Sequence, residues 1–142
     1  LDIDATKDFK RPRAQVLEKF RDPARFESVM RDMKIEAERT GEPPSATWAC
    51  SVQWREEPRR FAAGLVETAA AETMVMQFTS DLADAQITMD FYDLPDGGCR
   101  VIGKGVVSAR TIMAKLALQS MRLVRGKAEE RLTRLIFNMG RP

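Results

Sequence analysis

Along residues 73–78, Met74, Met76 and Phe78 alternate with Thr73, Val75 and Gln77. An apolar residue at every second position is the signature of a strand with one apolar face. The same period recurs on both sides of this stretch. Trp48, Cys50, Val52 and Trp54 share one side of a strand predicted over residues 47–55. Ile87, Met89 and Phe91 share one side of another, and Val101, Gly103, Gly105 and Val107 one side of the last. Opposite these rows lie Gln77, Thr79, Gln86, Thr88, Asp90, Tyr92, Arg100, Lys104 and Ser108. An antiparallel sheet with one wet and one covered face has this pattern. The strand predicted over residues 59–68 alternates too, but either of its faces fits inward.

Turn residues divide these strands into a meander. Glu42-Pro43-Pro44-Ser45, Glu57-Pro58, residues 81–84 and Pro95-Asp96-Gly97-Gly98 mark its corners, with Ala69 to Ala71 the weakest break. With a strand near residues 34–39, six strands follow two short helices, and a first strand over residues 5–10 precedes them. In "RPRAQVLEKF" Pro12 occupies a first helical turn, and Val16, Leu17 and Phe20 form one face. In "DPARFESVM" Asp22 caps the second helix, Pro23 opens it, and Phe26, Val29 and Met30 recur at helical spacing.

The C-terminal segment changes period again. Met113, Ala117, Met121, Val124, Ala128, Leu132, Leu135 and Met139 follow steps of four and three, one stripe on one helix. A helix over residues 111–139 is about 43 Å long at about 1.5 Å per residue, enough to cover the sheet. Gly126 interrupts it, predicting a bend or a close approach, and Gly140 is a natural stop.

Composition narrows the chemistry. With 142 residues, 44% hydrophobic and 31% charged, the chain reads as one soluble domain over residues 1–142. It has neither an apolar run of membrane-spanning length nor a signal-peptide pattern, which points to the cytoplasm. The absence of histidine removes the commonest general base and metal ligand, and no CxxC spacing replaces it. No Walker loop or GxSxG elbow is present, and "GKG" at residues 103–105 is too short for a dinucleotide fingerprint. The expectation is therefore no metal, no cofactor and no assigned catalytic residue. Cys50 and Cys99 read as buried thiols. Glu67, Arg55, Arg59 and Arg60 sit near strand ends as candidates for a pocket mouth. Residues 110–142 carry eight basic and two acidic side chains, a net +6 against +2 for the whole chain. That basic helix suits transient contact with an anionic membrane or an acidic partner, without the aromatic interleaving expected for nucleic acid.

The order of strand, two short helices, six-strand meander and long final helix, together with "RPRAQVLEKFRDPARFESVM" as the paired helices, resembles the START-related SRPBCC superfamily. Polyketide cyclases, the birch-pollen allergen family, lipid-transfer START domains and coenzyme Q-binding proteins belong to it. Many members carry a tryptophan after the Asp-Pro of the second helix; Phe26 follows it here. The resemblance implies an α+β helix-grip fold, a curved antiparallel sheet wrapped around the C-terminal helix with a hydrophobic cavity between them. The implied cavity wall on the sheet is Trp48, Cys50, Val52, Trp54, Met74, Met76, Phe78, Ile87, Met89, Phe91, Val101, Gly103 and Gly105. On the helix it is Met113, Ala117, Met121 and Val124. The implied function is non-covalent binding or transport of a small hydrophobic ligand such as a lipid, isoprenoid or polyketide-like compound. A polyketide cyclase or aromatase, and a protein-interaction module with a filled cavity, are the alternatives. An empty void of about 300 Å³ would cost roughly 7 kcal/mol at about 24 cal/mol per Å³, so such a pocket needs a ligand, water or partial collapse, to which methionines adapt.

Overall fold

The predicted alternation becomes a seven-stranded antiparallel sheet in the computed structural model, which describes residues 1–142. Strand β1 (Asp2–Phe9) leads into helices α1 (Arg13–Arg21) and α2 (Pro23–Asp32). The meander then runs through β2 (Ile35–Gly41), β3 (Ser45–Trp54), β4 (Glu57–Ala69), β5 (Thr73–Thr79), β6 (Ala83–Asp93) and β7 (Cys99–Ala109). The order across the sheet is β1-β7-β6-β5-β4-β3-β2, so the first strand pairs with the last. Register fixes the inner face: Trp48 pairs with Ala63, Ala63 with Phe78, Phe78 with Ala85, and Ala85 with Val107. It also settles β4, whose Phe61 pairs with Cys50 and so points inward.

The early helices form where their sequence signals place them. The Asp22 carboxylate accepts a 2.9 Å hydrogen bond from the Ala24 N–H and caps α2, with Pro23 at its first position. Val16, Leu17 and Phe20 of α1 and Phe26, Val29 and Met30 of α2 are buried. Phe26 stacks on Trp48 with ring centroids 4.1 Å apart. The Trp48 indole donates to Glu27 at 2.8 Å, and the Arg39 guanidinium donates to both oxygens of the same carboxylate at 2.7 and 2.9 Å. Arg39, then Trp48, hold the Glu27 carboxyl below its ordinary range despite the opposing cost of desolvation. This joint ties α2 to β2 and β3.

Helix α1 is joined to β4 by a second bidentate pair. Arg21 donates to the two oxygens of Glu67 at 2.6 and 2.8 Å. Glu67 also accepts from the Ala71 N–H, and Ala71 turns at φ 60°. Arg21 first, and the Ala71 N–H after it, hold the Glu67 carboxyl down at about 2 against a smaller cost of desolvation. The Ala69–Ala71 corner, weak in turn residues, is thus held by a side chain.

The C-terminal segment departs from the single helix expected over residues 111–139. It divides into α3 (Ile112–Met121), a 3₁₀ turn (Arg122–Val124) and α4 (Arg125–Gly140). Only α4 covers the sheet: Leu132, Leu135, Ile136 and Met139 are buried, and Ala128 is half-buried. Ile136 seats over Gly103, where an added Cβ would lie 2.7 Å from its Cδ1. An added Cβ at Gly105 would lie 2.8 Å from Ile3 and 3.8 Å from Leu132. The helix end is capped by Arg11, which donates to the Gly140 carbonyl, and by Arg25, which donates to the Asn138 carbonyl at 3.1 Å.

By contrast, no residue of α3 is buried. Met113, Ala117, Met121 and Val124, expected on the covering stripe, are all exposed. The expected stripe therefore covers the sheet only in its second half. Val124, at φ −120° and ψ 29°, has left helical geometry, and a 3₁₀ stretch inside a helical segment is a common hinge. Gly126 has open space around it, so no close approach explains the break.

Two outcomes test this packing. Gly103→Val should lower stability by about 1–3 kcal/mol through overpacking against Ile136, read as a lower midpoint in urea or heat. The Arg21–Glu67 pair should stabilise the fold above the ordinary glutamate value of 4.5 and lose that contribution as pH falls through about 2. Glu67→Gln should thus cost about 1 kcal/mol at neutral pH and progressively less as pH falls from 4.5 toward 2; an equal deficit at pH 7 and pH 2 would refute the assignment.

Candidate ligand-binding site

At one end of the sheet lie the β3–β4 and β5–β6 turns and the β7–α3 junction. The inner face is open there, because α4 covers the other part and α3 stands clear. A trough of about 400 Å³ opens between Phe61 of β4, Phe78 of β5, Ala83 and Ala85 of β6, Val107 of β7 and Leu82 of the β5–β6 turn. Pro58, Arg59, Arg60, Thr79, Ser80, Asp81 and Asp84 complete its lining. The Phe61 and Phe78 rings, 6.2 Å apart at their centroids, form one wall.

The turn beside the trough is firmly built. The Ser80 hydroxyl accepts from the N–H groups of Leu82 and Ala83, both at 3.2 Å, and donates to the Ala83 carbonyl at 3.0 Å. The Arg110 N–H donates to the Leu82 carbonyl at 2.7 Å, and its guanidinium grips both oxygens of Asp84 at 2.9 Å. The end of β7 is thereby locked to the β5–β6 turn. Asp84 holds the Arg110 guanidinium above its ordinary range, and this pair is a strut whose charges are already used. Across the mouth, Arg55 and Glu56 make the two-residue β3–β4 turn at φ 50° and 68°, a primed hairpin geometry usually given to Asn-Gly. Arg59 pairs in register with Val52 on the inner face and reaches Glu57 at 3.5 Å.

The residues implied as cavity wall divide sharply. Trp48, Cys50, Met74, Met76, Met89, Phe91 and Val101 belong to a closed core with α1, α2 and α4. Gly103 and Gly105 lie beneath Ile136 and Leu132, where they admit a helix. Val52 and Ile87 are half-buried, and Trp54 is 57% exposed near the hairpin tip. Of the implied wall, Phe78 alone borders the trough. Within the opening triplet of the alternation, Met74 and Met76 are core and only Phe78 reaches the open space. Of the candidate mouth charges, Arg59 and Arg60 line the trough, Arg55 stacks its guanidinium 5.7 Å from the Trp54 ring, and Glu67 lies at the opposite end with Arg21.

The wall residues absent from the sequence expectation are Phe61, Leu82, Ala83 and Ala85. Pairing of Phe61 with Cys50 was the missing signal, since β4 by itself fits either phase. Val107 was placed on the inner row, one step beyond the residues taken as wall. Both thiols are free and buried; burial pushes Cys50 up to about 11 and also raises Cys99. They are inert thiols at neutral pH. No polar or charged side chain is buried, and no cluster of three or more Cys, Asp or Glu residues is placed to hold a metal ion.

No protein-family model and no curated protein matches the chain. Solved structures do. The protein TTHA0849 of Thermus thermophilus superposes with a TM-score of 0.73 at 13% identity, over 99% of this chain and 94% of that one. The Zhui aromatase/cyclase of Streptomyces sp. R1128 gives 0.67 at 11% identity, over 99% and 93%. Ara h 8.0201 gives 0.59 at 9% identity, over 94% and 97%. Such likeness over nearly whole chains is a likeness of architecture: the protein has the helix-grip fold that these structures share.

Proposed function

We propose that the protein binds a small hydrophobic molecule, non-covalently, in the trough between Phe61 and Phe78. The observation that carries this reading is a space of about 400 Å³, walled by Phe61, Phe78, Leu82 and Val107 and edged by polar residues, on an inner sheet face that no helix covers. Its size lies within the usual range of ligand sites, about 300–1,000 Å³. Burying roughly 200 Å² of apolar ligand surface would yield about 5 kcal/mol before the cost of association. Arg59, Arg60 and Asp81 in the lining suit a ligand with a polar end, and the lipid, isoprenoid or polyketide-like classes all contain such molecules.

Cyclisation of a polyketide-like chain is the second reading, supported by the fold likeness to an aromatase/cyclase. None of the polar groups lining the trough is buried. They are placed to orient a ligand rather than to exchange protons in a dry site, so binding is the reading preferred.

Native mass spectrometry of protein purified without detergent, followed by organic extraction, should show a discrete releasable mass. Titration with anilinonaphthalene sulfonate, an aromatic anion, should saturate. Phe61→Ser should weaken that binding about ten-fold, the value of roughly half a buried aromatic side chain, and Val106→Ser on the outer face should leave it unchanged. A clean apoprotein mass combined with equal probe binding by both variants would refute the trough as the site.

A further inference from the structure

The trough leaves α3 unexplained. Of the ten residues of IMAKLALQSM only Lys115, Gln119 and Ser120 are polar; Lys115 and Gln119, four apart, share one narrow side, and most of the remaining helix surface is apolar. Helices of that kind are normally buried, yet Ile112 is 77%, Met113 75% and Leu123, in the following turn, 89% exposed. None of these side chains lines the trough. An exposed apolar surface of this sort marks a partner or a membrane.

Charge selects between them. Residues 111–128 carry Lys115, Arg122, Arg125 and Lys127 and no acidic residue. Arg125 alone is shared with carboxylates, Asp4 and Glu129, both at 3.7 Å. Docking α3 on a second copy of itself would bring four positive charges against four. An anionic lipid surface instead receives the apolar side chains at the acyl boundary and the basic ones among its headgroups. Two turns at the same end of the sheet suit the same surface. The exposed Trp54 ring, with Arg55 over it, is an interfacial aromatic, and the exposed Leu82 is tied to the start of the α3 segment through Arg110. No helix is long and apolar enough to cross a membrane, so this contact lies on the surface.

We propose that α3, the 3₁₀ turn after it and the Trp54 and Leu82 tips form a docking face for an anionic membrane. The inference stands whether or not the trough holds a ligand. Where it does, docking brings the trough mouth to the bilayer, and the ligand is a lipid-soluble molecule taken from it or delivered to it.

The test is sedimentation of the full chain with vesicles of phosphatidylcholine, with and without a third of phosphatidylglycerol. Partitioning should be at least about ten-fold stronger on the anionic vesicles and should fall with salt. Each basic side chain near an anionic surface is worth about five-fold, so Lys115→Gln, Arg122→Gln and Lys127→Gln together should cost about a hundred-fold. Ile112→Ser with Leu123→Ser should abolish binding while leaving the thermal midpoint unchanged, since both residues are exposed. Tryptophan emission should shift to the blue on docking and be quenched by brominated lipid, reporting Trp54 because Trp48 is buried. Absence of partitioning, equal partitioning on neutral vesicles, or indifference to these substitutions would overturn the proposal. A concentration-dependent dimer dissolved by Leu123→Ser would overturn it too, assigning the face to a second copy.

Discussion

The seating of Ile136 on Gly103 is the contact on which the arrangement of this protein turns. A strand normally holds a helix off by the thickness of its side chains. Two glycines on the inner face of β7 remove that thickness, and α4 approaches until Ile136 and Leu132 fill the recess. Its far end is drawn in by Arg11 and Arg25 on the last carbonyls, with favourable charge at a helix C-terminus. Once α4 is fixed at this position, the remaining inner face must be covered by something else or stay open.

Both outcomes occur. Toward the end of the sheet bearing Glu67, helices α1 and α2 close over Trp48, Met74, Met76 and Met89, held by two guanidinium–carboxylate joints. Toward the β3–β4 end nothing closes, and Phe61, Phe78 and Val107 border open space. An enclosed apolar void of the same volume would cost several kcal/mol unless something filled it, at about 24 cal/mol per Å³, whereas an open trough costs only the exposure of its apolar surface. The molecule therefore keeps a ligand-sized concavity without a ligand-sized hole in its core.

The segment between β7 and α4 shows the same economy. Thr111 caps α3 through its hydroxyl, 3.0 Å from the Ala114 N–H, so the helix is locally well formed. It nevertheless lacks a buried face, and the 3₁₀ turn lets it leave the line of α4. The apolar α3, with Lys115 on it and Arg122 after it, thus starts from the same end of the sheet as the open trough.

Much of this was readable in the chain. Alternation at period two gave the inner rows of β3, β5, β6 and β7, because the face of a strand residue is a local property of the pleat. Asp22-Pro23 and the paired apolar faces placed α1 and α2 for the same local reason. The phase of β4 was ambiguous, since Phe61, Ala62, Ala63, Leu65 and Val66 are apolar on both faces and only pairing with β3 decides. The corner at Ala69–Ala71 was faint because Glu67, held by Arg21 from another element, shapes it. The C-terminal stripe was real in its periodicity, but periodicity says that a face is apolar, never what covers it. Sequence alone determined which residues share a face; tertiary structure decided which faces are closed, because closure depends on where α4 seats against glycines of a strand far from it along the chain.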